Sequence, residues 1–184
     1  MTTATRITAA QYYELTVESD RKQLVDGQIV VDEPKLMHGI LQARITIELG
    51  KWIERGERRG LVTLPTNVAM DEYNVYGPDV LWFREEQIPE DLNAYPEHVP
   101  DLCVEIRSPS TWRFDVGAKK RVYEEGGLPE LWLVDDLSDT VLAYRRSEPG
   151  AHPFDVALEY VRGDTLDSPM LPGFELSLDE LFRR

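Results

Sequence analysis

One stretch constrains the fold more than any other: Pro100–Gly126, PDLCVEIRSPSTWRFDVGAKKRVYEEG. It reads as a strand, a turn and a helix. In an extended chain successive side chains alternate, so Asp101, Cys103, Glu105 and Arg107 point one way and Leu102, Val104 and Ile106 the other. The second set belongs to a core. The first set, acid, thiol, acid and base, is costly to cover unless water, a metal or counter-charges meet it. Ser108-Pro109-Ser110 ends the strand, because proline removes a ladder donor and fixes φ. A helix follows from about Phe114 to Glu125. At about 100° per residue, Asp115, Lys119 and Tyr123 share one side, beside Val116 and Val122. Lys120, Arg121 and Glu124 fall toward solvent. One lysine of the KKR run therefore lies on the apolar side and leans toward the strand that carries Glu105.

The chain has 184 residues, enough for a real core, and is expected to form a single domain over 1–184. No apolar run approaches the roughly 18–20 residues of a membrane span, so no membrane partner is expected. The start, MTTATRITAAQYYEL, lacks the apolar segment of a signal peptide. Cys103 is the sole cysteine, which excludes a disulfide framework and a zinc knuckle. The expected location is cytoplasmic. A net charge of −14 argues against broad electrostatic attraction to nucleic acid, though not against a local basic patch.

Along the chain, Thr8 caps a first helix, Ala9 to about Val17, with Tyr12, Tyr13 and Leu15 to pack. KQLVDGQIVVDEP is a hairpin turning at Asp26-Gly27 and ended by Pro34. Met37 to about Gly56 is the longest helix, with Leu41, Ile45, Leu49, Trp52 and Ile53 as its stripe. His38 projects beside that stripe at the helix start, either as a satisfied core or capping histidine or as a site residue. Arg44, Lys51, Arg55 and Arg58 form a flank that is either solvated or a phosphate-contacting ridge. Leu61–Met70 reads as a strand, Asn74–Gly77 as a turn, and VLWF after Pro78-Asp79 as a short apolar strand. Arg84–Val99 is a polar loop with a helical turn. Beyond the central unit come strands at Pro129–Asp135, Thr140–Arg145 and Phe154–Val161. Ser177 caps a last helix, SLDELF, with Glu180 at the capping-box position. Strands on both sides of the Asp115–Glu125 helix imply a mixed sheet with helices packed on it, an α/β (α+β) architecture with additional β-hairpins.

Asp79 opens one strand, Glu105 lies inside another, and Lys119 sits on the helix just after it. Two carboxylates and a lysine suit metal-assisted phosphodiester hydrolysis. Carboxylate oxygens hold Mg²⁺ while leaving waters in place, and a nearby lysine orients a water or stabilises charge on phosphorus. Asp, Glu and Lys are common, so spacing alone is a weak signal. Ordinary roles stand beside these. Asp79 also reads as a turn residue, Asp101 as a supporting acid near Glu105 or an additional ligand, and Cys103 as a small core residue. Tyr123 reads as a packing residue whose hydroxyl finds a partner near the site. Asp115 is a first-turn acid favoured by the helix dipole, within reach of Lys119. Arg113, Lys120 and Arg121 are either phosphate contacts or a solvated face.

PDVLWF, then PDLCVEIRSPST, then FDVGAKKRVYEEGGLPELWLVD, resembles a bacterial family of restriction-endonuclease-like proteins, expanded in cyanobacteria, within the PD-(D/E)XK nuclease superfamily. Pro78, Asp79, Pro100, Asp101, Glu105, Ser108–Thr111, Asp115, Lys119, Tyr123, Pro129 and Trp132 carry the likeness. The early helix, the Asp-Gly hairpin, His38 and the closing LPGFELSLDELF extend it over nearly the whole chain. The resemblance implies a restriction-endonuclease-like fold, Asp79 and Glu105 as ligands of Mg²⁺ or Mn²⁺, and Lys119 as the superfamily lysine moved onto the helix. Two positions depart from the pattern. Arg107 replaces a leucine, where the wider superfamily keeps its lysine; it assists Lys119, binds phosphate or pairs with Asp101, and its high pKa makes it a poor base. Gln23 replaces a glutamate of the hairpin, which weakens metal binding if that acid normally helps hold the ion.

The expected function is metal-dependent endonucleolytic hydrolysis of DNA. The first alternative is a catalytically inactive nucleic-acid-binding or protein-interaction module on the same fold; the second is a hydrolase of another phosphoester. A homodimer is a further expectation, since nucleases that cut duplexes commonly pair two sites.

Overall fold

The parallel pairing of two strands, and the crossover it requires, sets the architecture of this computed structural model, which describes residues 6–15, 21–148, 150–151 and 153–184. β7 (Leu102–Ile106) pairs in parallel with β8 (Glu130–Asp135), in the register Leu102↔Glu130 to Ile106↔Val134. Parallel neighbours need a connection of a dozen or more residues. Here it holds α3 (Trp112–Phe114), a π-helical turn (Asp115–Lys119) and α4 (Lys120–Glu125). The other neighbours in the six-stranded sheet are antiparallel. They are β3 (Leu61–Thr63), β6 (Val80–Phe83), β9 (Thr140–Arg145) and β10 (Val156–Tyr160), in the order β10-β9-β8-β7-β6-β3.

Every residue of β7 is buried, because both faces of the sheet are covered. Leu102, Val104 and Ile106 face α2 (Leu36–Glu54), whose Leu41, Ile45, Leu49 and Trp52 form the main core with Trp82, Trp132 and Phe174. Trp132 stacks on Phe174 with ring centroids 5.9 Å apart. Cys103 packs on the opposite face with Val122, Tyr123, Leu131 and Leu133. That face is also covered by a second, four-stranded sheet of β1 (Lys22–Val25), β2 (Gln28–Val31), β4 (Val68–Asp71) and β5 (Asn74–Tyr76), ordered β2-β1-β5-β4. Val25 and Tyr76 of this sheet join the Cys103 cluster.

The hairpin forms where the sequence predicts it. Asp26 and Gly27 both take positive φ, 50° and 75°, the conformation that a two-residue turn with matching twist demands. The first helix, α1 (Ala9–Leu15), begins at a reciprocal cap. The Gln11 amide donates to Thr8 Oγ1 at 3.3 Å and the Thr8 amide to Gln11 Oε1 at 3.0 Å. Thr8→Ala is expected to cost about 1 kcal/mol, read from the urea midpoint. The expected extension to Val17 lies outside the described residues. A short two-stranded sheet of β11 (Thr165–Leu166) and β12 (Leu176–Ser177) leads into α5 (Leu178–Leu181), where Ser177 Oγ accepts the Glu180 amide.

Several expectations need correction. Leu61–Met70 is not one strand: it divides into β3 and β4, which belong to different sheets, with Pro65 in the break. Asn74–Gly77 is not a turn. Asn74–Tyr76 is a buried strand, and the turn lies earlier, where Asp71 Oδ1 accepts the Tyr73 amide at 2.7 Å. Leu15 is 63% exposed and Val116 43% exposed, so neither packs as expected. On the basic flank of α2, three of the four residues have partners within the protein. Arg44 donates to the Leu181 and Arg183 carbonyls, Lys51 pairs with Glu48, and Arg58 pairs with Glu86. No described helix is long and apolar enough to cross a membrane.

Candidate metal centre

Asp79 sits where β6 begins, and the ladder fixes its surroundings. β6 runs antiparallel to β7 with Val80↔Val104; one residue further, Asp79 stands opposite Glu105. The Asp79 amide donates to the Val104 carbonyl at 2.9 Å, and Asp79 Oδ2 accepts the Ile106 amide at 2.7 Å. The carboxylate is thus held at the sheet edge by backbone. His38, on the first turn of α2, brings Nε2 to 3.1 Å from the same oxygen. Gln42, one turn on, donates Nε2 to the Asp79 carbonyl at 2.8 Å. Burial pulls the His38 imidazole pKa down, but the Asp79 carboxylate outweighs it, with Asp32 and Glu105 adding, and the net shift is upward.

Asp32 completes a cluster. It follows β2, and one ligand atom each from Asp32, His38 and Asp79 lie within 4.8 Å of one another. These residues and Gln23 line a cavity of about 760 Å³, walled by Leu64–Asn67 and Leu92–Tyr95. Tyr95 stacks on Tyr13 at its rim, ring centroids 5.1 Å apart. Sequence reasoning assigned Asp32 no role. Its signal is faint: an acid at the end of a hairpin arm, six residues before His38.

Beneath lies a second, buried constellation. The π-helical turn puts Asp115 and Lys119 on its inward side, both 1% exposed. Lys119 Nζ lies 2.7 Å from Glu105 Oε1 and 2.9 Å from Asp115 Oδ1. Tyr123 Oη donates to Glu105 Oε1 at 2.5 Å. Thr111 Oγ1 donates to Asp115 Oδ2 at 3.0 Å and meets Ser108 Oγ at 2.8 Å. Ser108 Oγ lies 3.1 Å from Ser110 Oγ, which donates to Asp32 Oδ1 at 3.4 Å. A continuous polar chain thus joins the cavity cluster to the buried lysine.

One lysine between two carboxyls does not favour ionising both in a dry place. Burial pushes the Glu105 pKa up to about 8; Lys119 pulls it down, while Asp115 and Asp79 add to the rise. Asp115 is raised by burial against the same lysine. Burial alone would lower the Lys119 pKa, yet Asp115 and Glu105 outweigh it and hold it above its usual range, as an ammonium. Such a lysine fixes Glu105 electrostatically and is no proton acceptor at neutral pH.

The remaining predicted residues lie elsewhere. Asp101 stands just before β7, where its carboxylate takes Arg84 Nε at 2.6 Å and the Arg84 amide at 2.9 Å. Arg107 does not pair with Asp101, six residues back along the chain. It donates to Asp135 Oδ2 at 2.8 Å and lies over the Trp112 ring. Lys120 pairs with Glu124 and covers the Tyr144 ring; Arg121 faces Asp26 at 3.7 Å; Arg113 lies over Phe114. None of these three lines the cavity. Cys103 is fully buried, and burial pushes its thiol pKa well up, as suits a core residue.

The fold has a solved counterpart. A crystal structure of a putative nuclease belonging to DUF820, from Anabaena variabilis ATCC 29413, superposes with a TM-score of 0.79 over 96% of this chain and 97% of that one, at 20% identity. No protein of curated function matches. A family model described as Uma2, putative restriction endonuclease, matches residues 9–179. With the mixed sheet, the crossover and the acidic edge all accounted for, the chain belongs to the Uma2 family of putative restriction endonucleases.

Proposed function

We propose that the protein is a metal-dependent endonuclease that hydrolyses phosphodiester bonds of DNA. The observation that carries this reading is the convergence of Asp32, His38 and Asp79 on the cavity wall, with ligand atoms within 4.8 Å, in a chain of a nuclease family. Their chemistry fits a divalent ion. Carboxylate oxygens suit Mg²⁺ and Mn²⁺, an imidazole nitrogen is compatible with Mn²⁺, and the cavity leaves room for water and a phosphate. Buried carboxylates also need counter-charge, which a cation provides. Asp79 would be the central ligand, with Asp32 and His38 beside it and Glu105 opposite it in the ladder. When bound, the ion supplies Lewis acidity toward a phosphoryl oxygen and lowers the pKa of a water.

The chain's own groups do the rest. The Ile106 amide and Gln42 hold the Asp79 edge rigid, so the carboxylate needs no reorganisation. Lys119 and Tyr123 fix Glu105, which stands opposite Asp79 in the ladder. Lys119 contributes a positive field from beneath and keeps that acid oriented. The loops Leu64–Asn67 and Leu92–Tyr95 bound the space in which a phosphodiester would sit.

A catalytically silent binding module is the second reading, favoured by the near-complete burial of Lys119 and Glu105 away from the cavity. Metal removal separates the two. Plasmid and single-stranded DNA are expected to be cut in Mg²⁺ or Mn²⁺ and to remain intact in EDTA. Intact DNA across ions and salt concentrations, with no metal bound by calorimetry, would leave the silent module.

A further inference from the structure

We infer that Gln23 supplies a fourth, neutral oxygen donor to the Asp32–His38–Asp79 cluster, in a site that takes Mn²⁺ in preference to Mg²⁺; the inference rests on the metal-dependent reading above.

Gln23 lies in β1, 8% exposed, and lines the same cavity as the three donors. Its Oε1 is buried with no hydrogen-bond partner among the described residues. Such acceptors are rare in folded proteins, and each asks for a donor or a cation. The hairpin shows where this one is aimed. β1 and β2 pair as Lys22↔Val31 and Gln23↔Val30, so Arg21 stands opposite Asp32, and the Asp32 amide donates to the Arg21 carbonyl at 2.9 Å. Side chains two apart on a strand share a face, so Gln23 and Asp32 are diagonal neighbours on one face of the hairpin. A glutamine amide spans that separation. An arginine or lysine at this position would repel a cation, and a leucine would leave the space dry. An amide oxygen is an ordinary hard-cation ligand that adds no charge.

The charge count then matters. Two carboxylates, one imidazole and one amide carry less negative charge than three carboxylates and an imidazole, so the ion is held more loosely. Mg²⁺ demands near-ideal octahedral oxygen coordination, whereas Mn²⁺ tolerates an imidazole nitrogen. The donor set of three oxygens and one nitrogen therefore favours Mn²⁺.

The test is calorimetric titration of the full-length protein with Mn²⁺ and with Mg²⁺, beside thermal melts in EDTA and in Mn²⁺. Three variants are compared with wild type: Gln23→Leu, Gln23→Glu and Asp79→Asn. Wild type is expected to bind Mn²⁺ more tightly than Mg²⁺. Gln23→Leu is expected to weaken Mn²⁺ binding by about 10–100-fold and to shrink the Mn²⁺-induced rise in Tm, while its Tm in EDTA stays level or rises, because an unpartnered buried acceptor has gone. Gln23→Glu is expected to tighten binding. Wild-type binding that Asp79→Asn loses but Gln23→Leu retains would overturn the fourth donor and keep the metal centre. Mg²⁺ binding as tight as Mn²⁺ would overturn the preference. No binding by wild type at all would overturn the centre itself, and this inference with it. Unchanged Tm in EDTA guards against misfolding, and recovery of binding in Gln23→Glu after loss in Gln23→Leu would mark an effect of the donor atom.

Discussion

Lys119→Ala is expected to destabilise the protein by about 3–5 kcal/mol, the usual result of removing one partner of a buried ion pair. The ammonium stands 2.7 Å from Glu105 and 2.9 Å from Asp115, at 1% exposure. Alanine removes the only positive charge among the described residues that directly contacts either carboxyl, and opens a cavity under the Tyr76 ring, whose centroid lies 5.3 Å from Nζ. Lys119→Met fills most of the cavity without restoring charge, so the difference between the two variants measures packing, and what remains is electrostatic. The pH dependence carries a sign. Glu105 already titrates near 8 in the folded chain, against about 4.3 unfolded. Without the lysine, which pulls it down, it rises further. A carboxyl with a raised folded pKa binds more protons folded than unfolded, so stability falls as pH climbs between the two values. Urea midpoints at pH 8 and pH 10 should therefore go on falling for Lys119→Ala, whereas this contribution levels off above about pH 8 in wild type. Parallel pH dependence would mean that the lysine does not compensate these acids.

Asp79→Asn is expected to lower metal-dependent cleavage by at least about 100-fold while the fold persists. The substitution is chosen for the geometry. Oδ2 accepts the Ile106 amide at 2.7 Å, a bond that an asparagine oxygen can keep. What it removes is the charge that His38 meets and that a bound cation would meet. Even groups one step removed from a metal typically cost 10–100-fold, so a ligand should cost at least that. His38 reports on the same change. Its pKa is raised because the Asp79 carboxylate outweighs burial, so it should fall in Asp79→Asn, read by NMR titration. The wild-type pair contributes stability below the ordinary histidine value of about 6.5 and loses it as pH rises through the raised folded value. Asp79→Asn should flatten that part of the stability profile. Cleavage at wild-type rate in the variant would remove Asp79 from the reaction.

These two sites were legible to different depths. The alternation of Asp101–Arg107 and the helical spacing of Asp115, Lys119 and Tyr123 foretold the Glu105–Lys119–Tyr123 contacts, because both depend only on local periodicity. The residue-by-residue geometry at Lys119 differs from an α-helix, since Asp115–Lys119 forms a π turn, which no pattern of side chains announces. Asp101 and Arg107 share a face with Glu105 but not a neighbourhood, for a strand spaces them along its length. Asp32 escaped assignment, and Gln23 entered only as a departure from the family pattern, for a topological reason. They reach Asp79 only because β5, a strand that reads as turn residues Asn74 and Tyr76, carries the second sheet back alongside the first. Two strands hidden in one apolar run at Leu61–Met70 concealed the same return.

Cys103 offers a clock for the centre. It is the chain's sole thiol, fully sealed within β7 and two residues from Glu105. A thiol-reactive dye can reach it only when the sheet opens, so the labelling rate in native buffer counts openings of this one strand. An ion held at Asp79, in the adjoining strand, would have to be released or carried along in each such opening. Labelling would then slow in proportion to ion occupancy, giving a readout of binding that needs no substrate, no turnover and no spectroscopic label on the metal.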